Sequence, residues 1–148
     1  IPVLAAGGIA TGRQMLAAMV LGADGVQVGS RFVACPEASS HEKFKNLVIT
    51  SAEGDTQLTL KQLTPVRMLK NNFFAQVQKA EQQGASVDEL KKLLGRARAK
   101  HGMFEGDMEE GELEIGQVSA LIKEIKPAAE IVKEIWNEFE ATLKQPLK

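Results

Sequence analysis

The chain has a single cysteine, Cys35, among 148 residues. No intrachain disulfide framework can form, and a reducing cytoplasm is the compartment that this cysteine usage favours. No apolar run approaches the length of a membrane span. The opening residues lack the charged start and long apolar stretch of a secretory signal. Charge of one sign is also missing: 18 basic and 19 acidic side chains leave a net −1, so there is no global pull toward nucleic acid or anionic membrane. Aromatic residues make up only 5%, and no basic stripe is interleaved with them, which argues against a nucleic-acid partner. Internal repeats and low-complexity tracts are absent. What is there is 44% hydrophobic and 25% charged, a composition that folds and can bury one sizeable core.

The first thirty-odd residues organise the rest. Pro2-Val3-Leu4-Ala5-Ala6 is a short uncharged run of the kind a buried parallel strand needs. Gly7-Gly8 follows, and Thr11 stands where a helix N-cap is wanted. Met15, Leu16, Met19 and Val20 recur at helical spacing, and Gly22 closes that helix as its C′ residue. Asp24 to Ser30 reads as the next strand and its exit turn. A parallel strand needs neighbours on both sides, and only two strong strands are visible, so the expectation is the C-terminal part of a longer chain.

Further on, Arg31 to Cys35 continues the strand briefly. Ser39 and Ser40 are candidate caps for a helix over 41–52. A short strand is expected over 56–60. Pro65 is expected to open a helix that buries Val66, Leu69, Phe73 and Val77. Ser86-Val87-Asp88-Glu89 is a capping box for a helix running to about Gly102. Ile115, Val118, Leu121, Ile122 and Ile125 predict another helix. After Pro127 the last one buries Ile131, Val132, Ile135, Trp136 and Phe139. The expected division is residues 1–60, a strand-and-helix portion with the glycine turns, and residues 61–148, a helical region packed on it.

The glycine turns carry the strongest chemical signal. Gly7 and Gly8 let a ligand oxygen approach their N–H groups, and the following helix is expected to turn its positive end to the same spot. Gly29 and Ser30 offer two more amides and a hydroxyl. In a (β/α)8 barrel, the loops after strands seven and eight frequently form such a phosphate site. The competing reading is that the glycines only make tight strand-to-helix turns. Elsewhere Cys35 reads as a small buried hydrophobe. His41 and His101 are too far apart for a zinc motif. Asp107, Glu109, Glu110 and Glu112 crowd a loop that is either a cation candidate or a solvated acidic turn, without the spacing of an EF-hand. Trp136 and Phe139 read as core or interface packing.

Two stretches carry a resemblance to a known family. Residues 2–13, with Ala6-Gly7-Gly8, and residues 21–32, with Gln27-Val28-Gly29-Ser30-Arg31-Phe32, resemble the phosphate strands of the nitronate monooxygenase family, formerly 2-nitropropane dioxygenases. That family also contains the flavin-dependent enoyl-acyl-carrier-protein reductase II. His41 to Lys45, Glu105-Gly106-Asp107 and Gly116-Gln117-Val118 resemble later segments of the same family. The resemblance implies an α/β fold, the C-terminal part of a flavin-binding TIM (β/α)8 barrel followed by a helical region. It implies FMN, its phosphate held by Ala6, Gly7, Gly8, Gln27, Val28, Gly29 and Ser30. Ser30 stands where the family usually has threonine and keeps the hydroxyl. The family's catalytic histidine sits in a Gly-Gly-His stretch that these residues do not contain, and neither His41 nor His101 occupies one.

The same resemblance implies an oxidoreductase with a small-molecule substrate. In one branch nitronates or nitroalkanes are oxidised with oxygen. In the other an enoyl thioester is reduced at the expense of NAD(P)H, a branch in which some relatives use a monovalent cation. A homodimer is the expected assembly. Inosine monophosphate dehydrogenases share the Gly-Gly and Gly-Ser pattern but need a cysteine nucleophile, a role that Cys35, after the last strand, does not match. A different class of reading is a non-catalytic, phosphate-binding half-barrel that assembles with a partner chain.

Overall fold

The computed structural model describes residues 1–145. β1 (Leu4–Ala6) and β2 (Gly25–Gln27) form a parallel pair, with Leu4 opposite Gly25 and Ala6 opposite Gln27. Asp24 clamps that register: its carboxylate accepts the Val3 N–H at 2.7 Å, and its own amide donates to the Val3 carbonyl at 2.8 Å. Between the strands runs α1 (Gly12–Val20). Thr11 caps it through a complete capping box with Gln14, and Gly22 follows at φ +105°. Among the described residues the two strands pair only with each other. Val3 and Leu4 therefore remain 61% and 59% exposed, unlike the buried strand the apolar run predicts.

Several expected elements take another form. Arg31 to Cys35 does not extend β2; Ser30–Val33 forms the single-turn helix α2. α3 (Glu42–Thr50) is capped by His41, whose ring accepts the Lys43 N–H. Ser40, one of the expected caps, instead donates its hydroxyl to the Val33 carbonyl. β3 (Thr56–Thr59) forms as expected, but Pro65 opens no helix. It leads into β4 (Val66–Leu69), antiparallel to β3. The reason is packing on both sides: Met68 joins one core cluster and Leu69 another. A strand sends successive side chains to opposite faces, whereas a helix would put both near one side. α4 (Asn72–Gln82) begins only after Asn71, which caps it.

α5 (Val87–Leu94) has the expected Ser86–Glu89 capping box but stops at Gly95. Arg98 folds back and donates to the Leu93 and Leu94 carbonyls, satisfying the orphan acceptors of the last turn. A separate π-helical turn, Lys100–Phe104, follows. The helix expected around Ile115 is absent. Residues 113–115 lie extended against β4, with Glu114 bridged to Met68, and only a 3-10 turn, Gln117–Leu121, follows. Val118 and Ile122 are buried all the same, so the apolar positions are informative while the conformation is set by pairing with β4. α6 (Ala128–Leu143) buries Ile131, Ile135 and Phe139. Val132 and Trp136, expected inside, are half-exposed.

The core has three parts. Phe44 and Val48 of α3 meet Leu69, Leu113 and Ile122. Leu60, Met68, Phe73, Val77 and Leu90 pack between the hairpin, α4 and α5. Cys35, Ile131 and Ile135 pack with Met15 and Val28, joining α6 to the parallel strands. There α1 crosses α6 so closely that a Cβ on Gly12 would lie 2.2 Å from the Phe139 nitrogen.

Candidate functional site

The exits of β1 and β2 lie side by side because the strands are parallel and in register. Six of the seven residues expected at the phosphate, Ala6, Gly7, Gly8, Gln27, Gly29 and Ser30, line one hollow of about 220 Å3. The seventh, Val28, does not line it; its side chain packs toward Cys35 and Ile131. Ile9 and Val118 complete the lining. Gly7 and Gly8 both adopt positive φ, +90° and +70°, a backbone region that glycine enters without steric penalty. A Cβ at either would meet no atom within 4 Å, so the space beside these amides is open to a ligand. Outside the strand ladder, the N–H groups of Gly7, Gly8, Gly29 and Ser30 donate to no acceptor among the described residues. Among the described residues no charged side chain lines this hollow.

Two details differ from expectation. The first amide of α1 is not directed to a ligand: Gly12 donates to Glu138 Oε2 at 2.8 Å, and Ala10 and Thr11 donate to Gln14 Oε1. α6 thus supplies the negative charge at that helix end. Ser30 Oγ accepts the Gly116 N–H at 3.1 Å. That bond uses a lone pair and leaves the hydroxyl hydrogen to donate elsewhere.

The other candidates have structural partners. Cys35 is buried and donates its thiol to the Phe32 carbonyl. The His41 ring lies under Gly106, where an added Cβ would come within 2.6 Å of it. His101 pairs with Glu105, which Lys100 also contacts. The acidic loop is dispersed: Asp107 caps the amides of Glu109 and Glu110, Glu110 faces Arg98 and Gln76, and Glu112 is buried. Burial, then the neighbouring Glu114, pushes the Glu112 carboxyl up to about 7, against the lowering pull of Arg98. Burial also raises Glu114 above the usual carboxylate range. Among the described residues no group of three or more His, Cys, Asp or Glu side chains could hold a metal ion, and no helix is long and apolar enough to cross a membrane.

Sequence reasoning misses Val118 and Arg67 as site neighbours. Helical spacing assigns Val118 to a helix face. Arg67 is hidden inside the helix expected after Pro65. The alternation over residues 56–60 followed by Thr64-Pro65 is a hairpin signal that could have exposed it.

Two parallel strands that exit through glycine into a common hollow, with helices packed behind, place the chain in the α/β class of folds. A family model described as nitronate monooxygenase matches residues 1–138. The chain belongs to the nitronate monooxygenase family, a family of oxidoreductases. FabK from Thermotoga maritima superposes with a TM-score of 0.89 at 39% identity, covering 97% of this chain and 46% of that one. Nitroalkane oxidase from Streptomyces ansochromogenes matches with a TM-score of 0.73 at 30% identity, over 97% of this chain and 40% of that one. A protein of Staphylococcus saprophyticus named probable nitronate monooxygenase is 44% identical over 75 residues, 49% of this chain and 21% of its own. The chain thus spans less than half the length of these relatives.

Proposed function

We propose that this chain forms the cofactor-phosphate side of an FMN-dependent oxidoreductase built on a TIM barrel. The observation that carries it is the gathering of Gly7, Gly8, Gly29 and Ser30 around one hollow with open space beside the glycine turn. FMN supplies the redox chemistry when bound. The chain's own contribution is binding and orientation. The four amides would donate to the phosphate oxygens, and the Ser30 hydroxyl would add a fifth donor. The Gly116 amide holds that hydroxyl in place. Neutral donors can accommodate the anion because backbone dipoles converge on it.

The substrate reading follows the family: nitronates, oxidised with oxygen. A second reading, reduction of an enoyl thioester with NAD(P)H as donor, is favoured by the closer likeness to FabK than to nitroalkane oxidase. A homodimer is part of the proposal, supported by the half-exposed Val132 and Trp136 one turn apart on α6.

The test is a visible absorption spectrum of the native gene product purified without added cofactor. A flavin band that a nitronate bleaches under nitrogen, and NADH does not, supports the first reading. A band that NADH bleaches supports the second. Protein that neither retains FMN nor gains it on titration overturns both and leaves the non-catalytic phosphate-binding reading.

A further inference from the structure

Arg67 sits on β4 and is half-buried. Its Nη1 donates to the Thr56 carbonyl at 3.2 Å and to Thr56 Oγ1 at 3.3 Å, which fixes the guanidinium against β3. Among the described residues its Nε and Nη2 find no acceptor and it makes no ion pair. The other half-buried arginines are matched differently. Arg31 pairs with Glu134 at 2.9 Å, while Arg98 faces Glu110 and lies over the Phe73 ring. A guanidinium withdrawn partly from water without a carboxylate has lost hydration without recovering it in an ion pair.

Its position gives that charge a use. Arg67 lines a hollow of about 480 Å3 that adjoins the phosphate hollow, since both are lined by Gly8 and Val118. On its other side is a hollow of about 400 Å3 that shares Ser30 with the phosphate hollow. Glu53 and Glu114 line these spaces too, but neither comes within the 4.0 Å of an ion pair with Arg67. Arg67 does not line the phosphate hollow itself, so its fork is aimed at something beside the cofactor. The larger space falls in the range of sites for drug-sized molecules. A nitronate of a few heavy atoms would fill little of it.

We propose that Arg67 anchors the phosphate ester of a second ligand that docks in the 480 Å3 hollow beside the cofactor. The inference rests on the reading of the glycine hollow as the cofactor-phosphate site. Arginine presents a planar fork of donors that matches a phosphate bidentately. Two sources share this chemistry: the pantetheine phosphate of a carrier-bound thioester, and the pyrophosphate of a nicotinamide dinucleotide. Either makes the second substrate larger and more anionic than a nitroalkane.

The test uses the native gene product loaded with FMN and two pairs of probes, pantetheine 4′-phosphate with pantetheine and ADP with adenosine. Affinities are read by titration calorimetry for the wild type, Arg67→Met and Arg67→Lys. The expected result is that one phosphorylated probe binds the wild type and is weakened about 10- to 100-fold by Arg67→Met. Its unphosphorylated partner is unchanged, and Arg67→Lys recovers part of the loss. The probe that responds identifies the source. Equal weakening of both members of a pair marks a structural role for Arg67 and overturns the proposal. So does unchanged binding in Arg67→Met, absence of binding to the wild type, or loss of FMN itself in Arg67→Met. If the wild type takes up no FMN, the cofactor reading has failed, and the same probe ratio on the FMN-free protein decides for or against Arg67.

Discussion

Substituting Gly12 by alanine tests the contact on which the site's geometry depends. Gly12 is the first residue of α1, just after the Gly7-Gly8 turn, and α6 lies directly against it. An added Cβ would stand 2.2 Å from the Phe139 nitrogen, 2.4 Å from the Ile135 oxygen and 2.7 Å from the Glu138 carbonyl carbon. All three are backbone atoms, so no side-chain rotation relieves the overlap. α6 must back away by about 1 Å to reach an ordinary van der Waals separation. That shift loosens Ile131 and Ile135 against Cys35 and stretches the bond from the Gly12 amide to Glu138.

Overpacking contributes about 1–3 kcal/mol of destabilisation. Loss of a hydrogen bond to a charged acceptor adds about 1.5–3 kcal/mol. Alanine's better helix propensity returns at most about 1 kcal/mol. The net expectation is a loss of about 1.5–5 kcal/mol, a large share of the roughly 5–15 kcal/mol that holds a domain folded. In a thermal melt followed by circular dichroism this lowers Tm by about 5–15 °C. Gly29→Ala is the control: its φ is −107° and an added Cβ meets nothing within 4 Å, so Tm should hold within about 2 °C. A Gly12→Ala melt superimposable on the wild type would refute the close crossing of α1 and α6.

Glu112 gives a pH-dependent expectation. Its folded carboxyl titrates near 7 against an ordinary value of 4.5, so between those values the folded state holds a proton that the unfolded state has released. Stability should therefore fall as pH rises from about 4.5 through about 7, by up to about 3 kcal/mol; Glu112→Gln should make the fall of the urea midpoint shallower across that range, leaving the part that the raised Glu114 carboxyl contributes, and a variant that keeps the full wild-type slope contradicts the assignment. Asn71 caps α4 through Oδ1 to the Phe74 amide and donates through Nδ2 to the Met108 and Gly111 carbonyls. Asn71→Ala should lower stability by about 2–4 kcal/mol, while Asn71→Asp, which keeps the cap and loses both donated bonds, should fall between. Equal urea midpoints for Asn71→Ala and the wild type would show that the loop at 108–111 does not depend on this side chain.

Much of the site is legible in residues 1–31 because its determinants are local. The glycine turn at Gly7 and Gly8, the Thr11 cap and the Gly22 stop each depend on a few neighbouring residues. The Ser86–Glu89 box at the start of α5 is legible for the same reason. Arg67, Val118 and Glu138 are not, since each reaches the site from a distant segment. The bond from Gly116 to Ser30 spans 86 residues, and that from Gly12 to Glu138 spans 126. No window of sequence holds both partners.

The sequence by itself determined where the chain turns, which segments carry apolar residues, and where glycines stand at the two strand exits. Those properties follow from side-chain chemistry and from backbone freedom over a turn or less. Tertiary structure decided the form that the apolar segments take. Val66 to Leu69 became a strand because cores lie on both of its sides, and the residues around Ile115 became extended because β4 offers them backbone partners. It also decided what surrounds the glycine hollow. Register between β1 and β2 brings the two exits together, and the hairpin brings Arg67 to the adjoining space. Contacts of that kind are set by the packing of the whole chain, where burial of apolar surface outweighs the small preferences of any single segment.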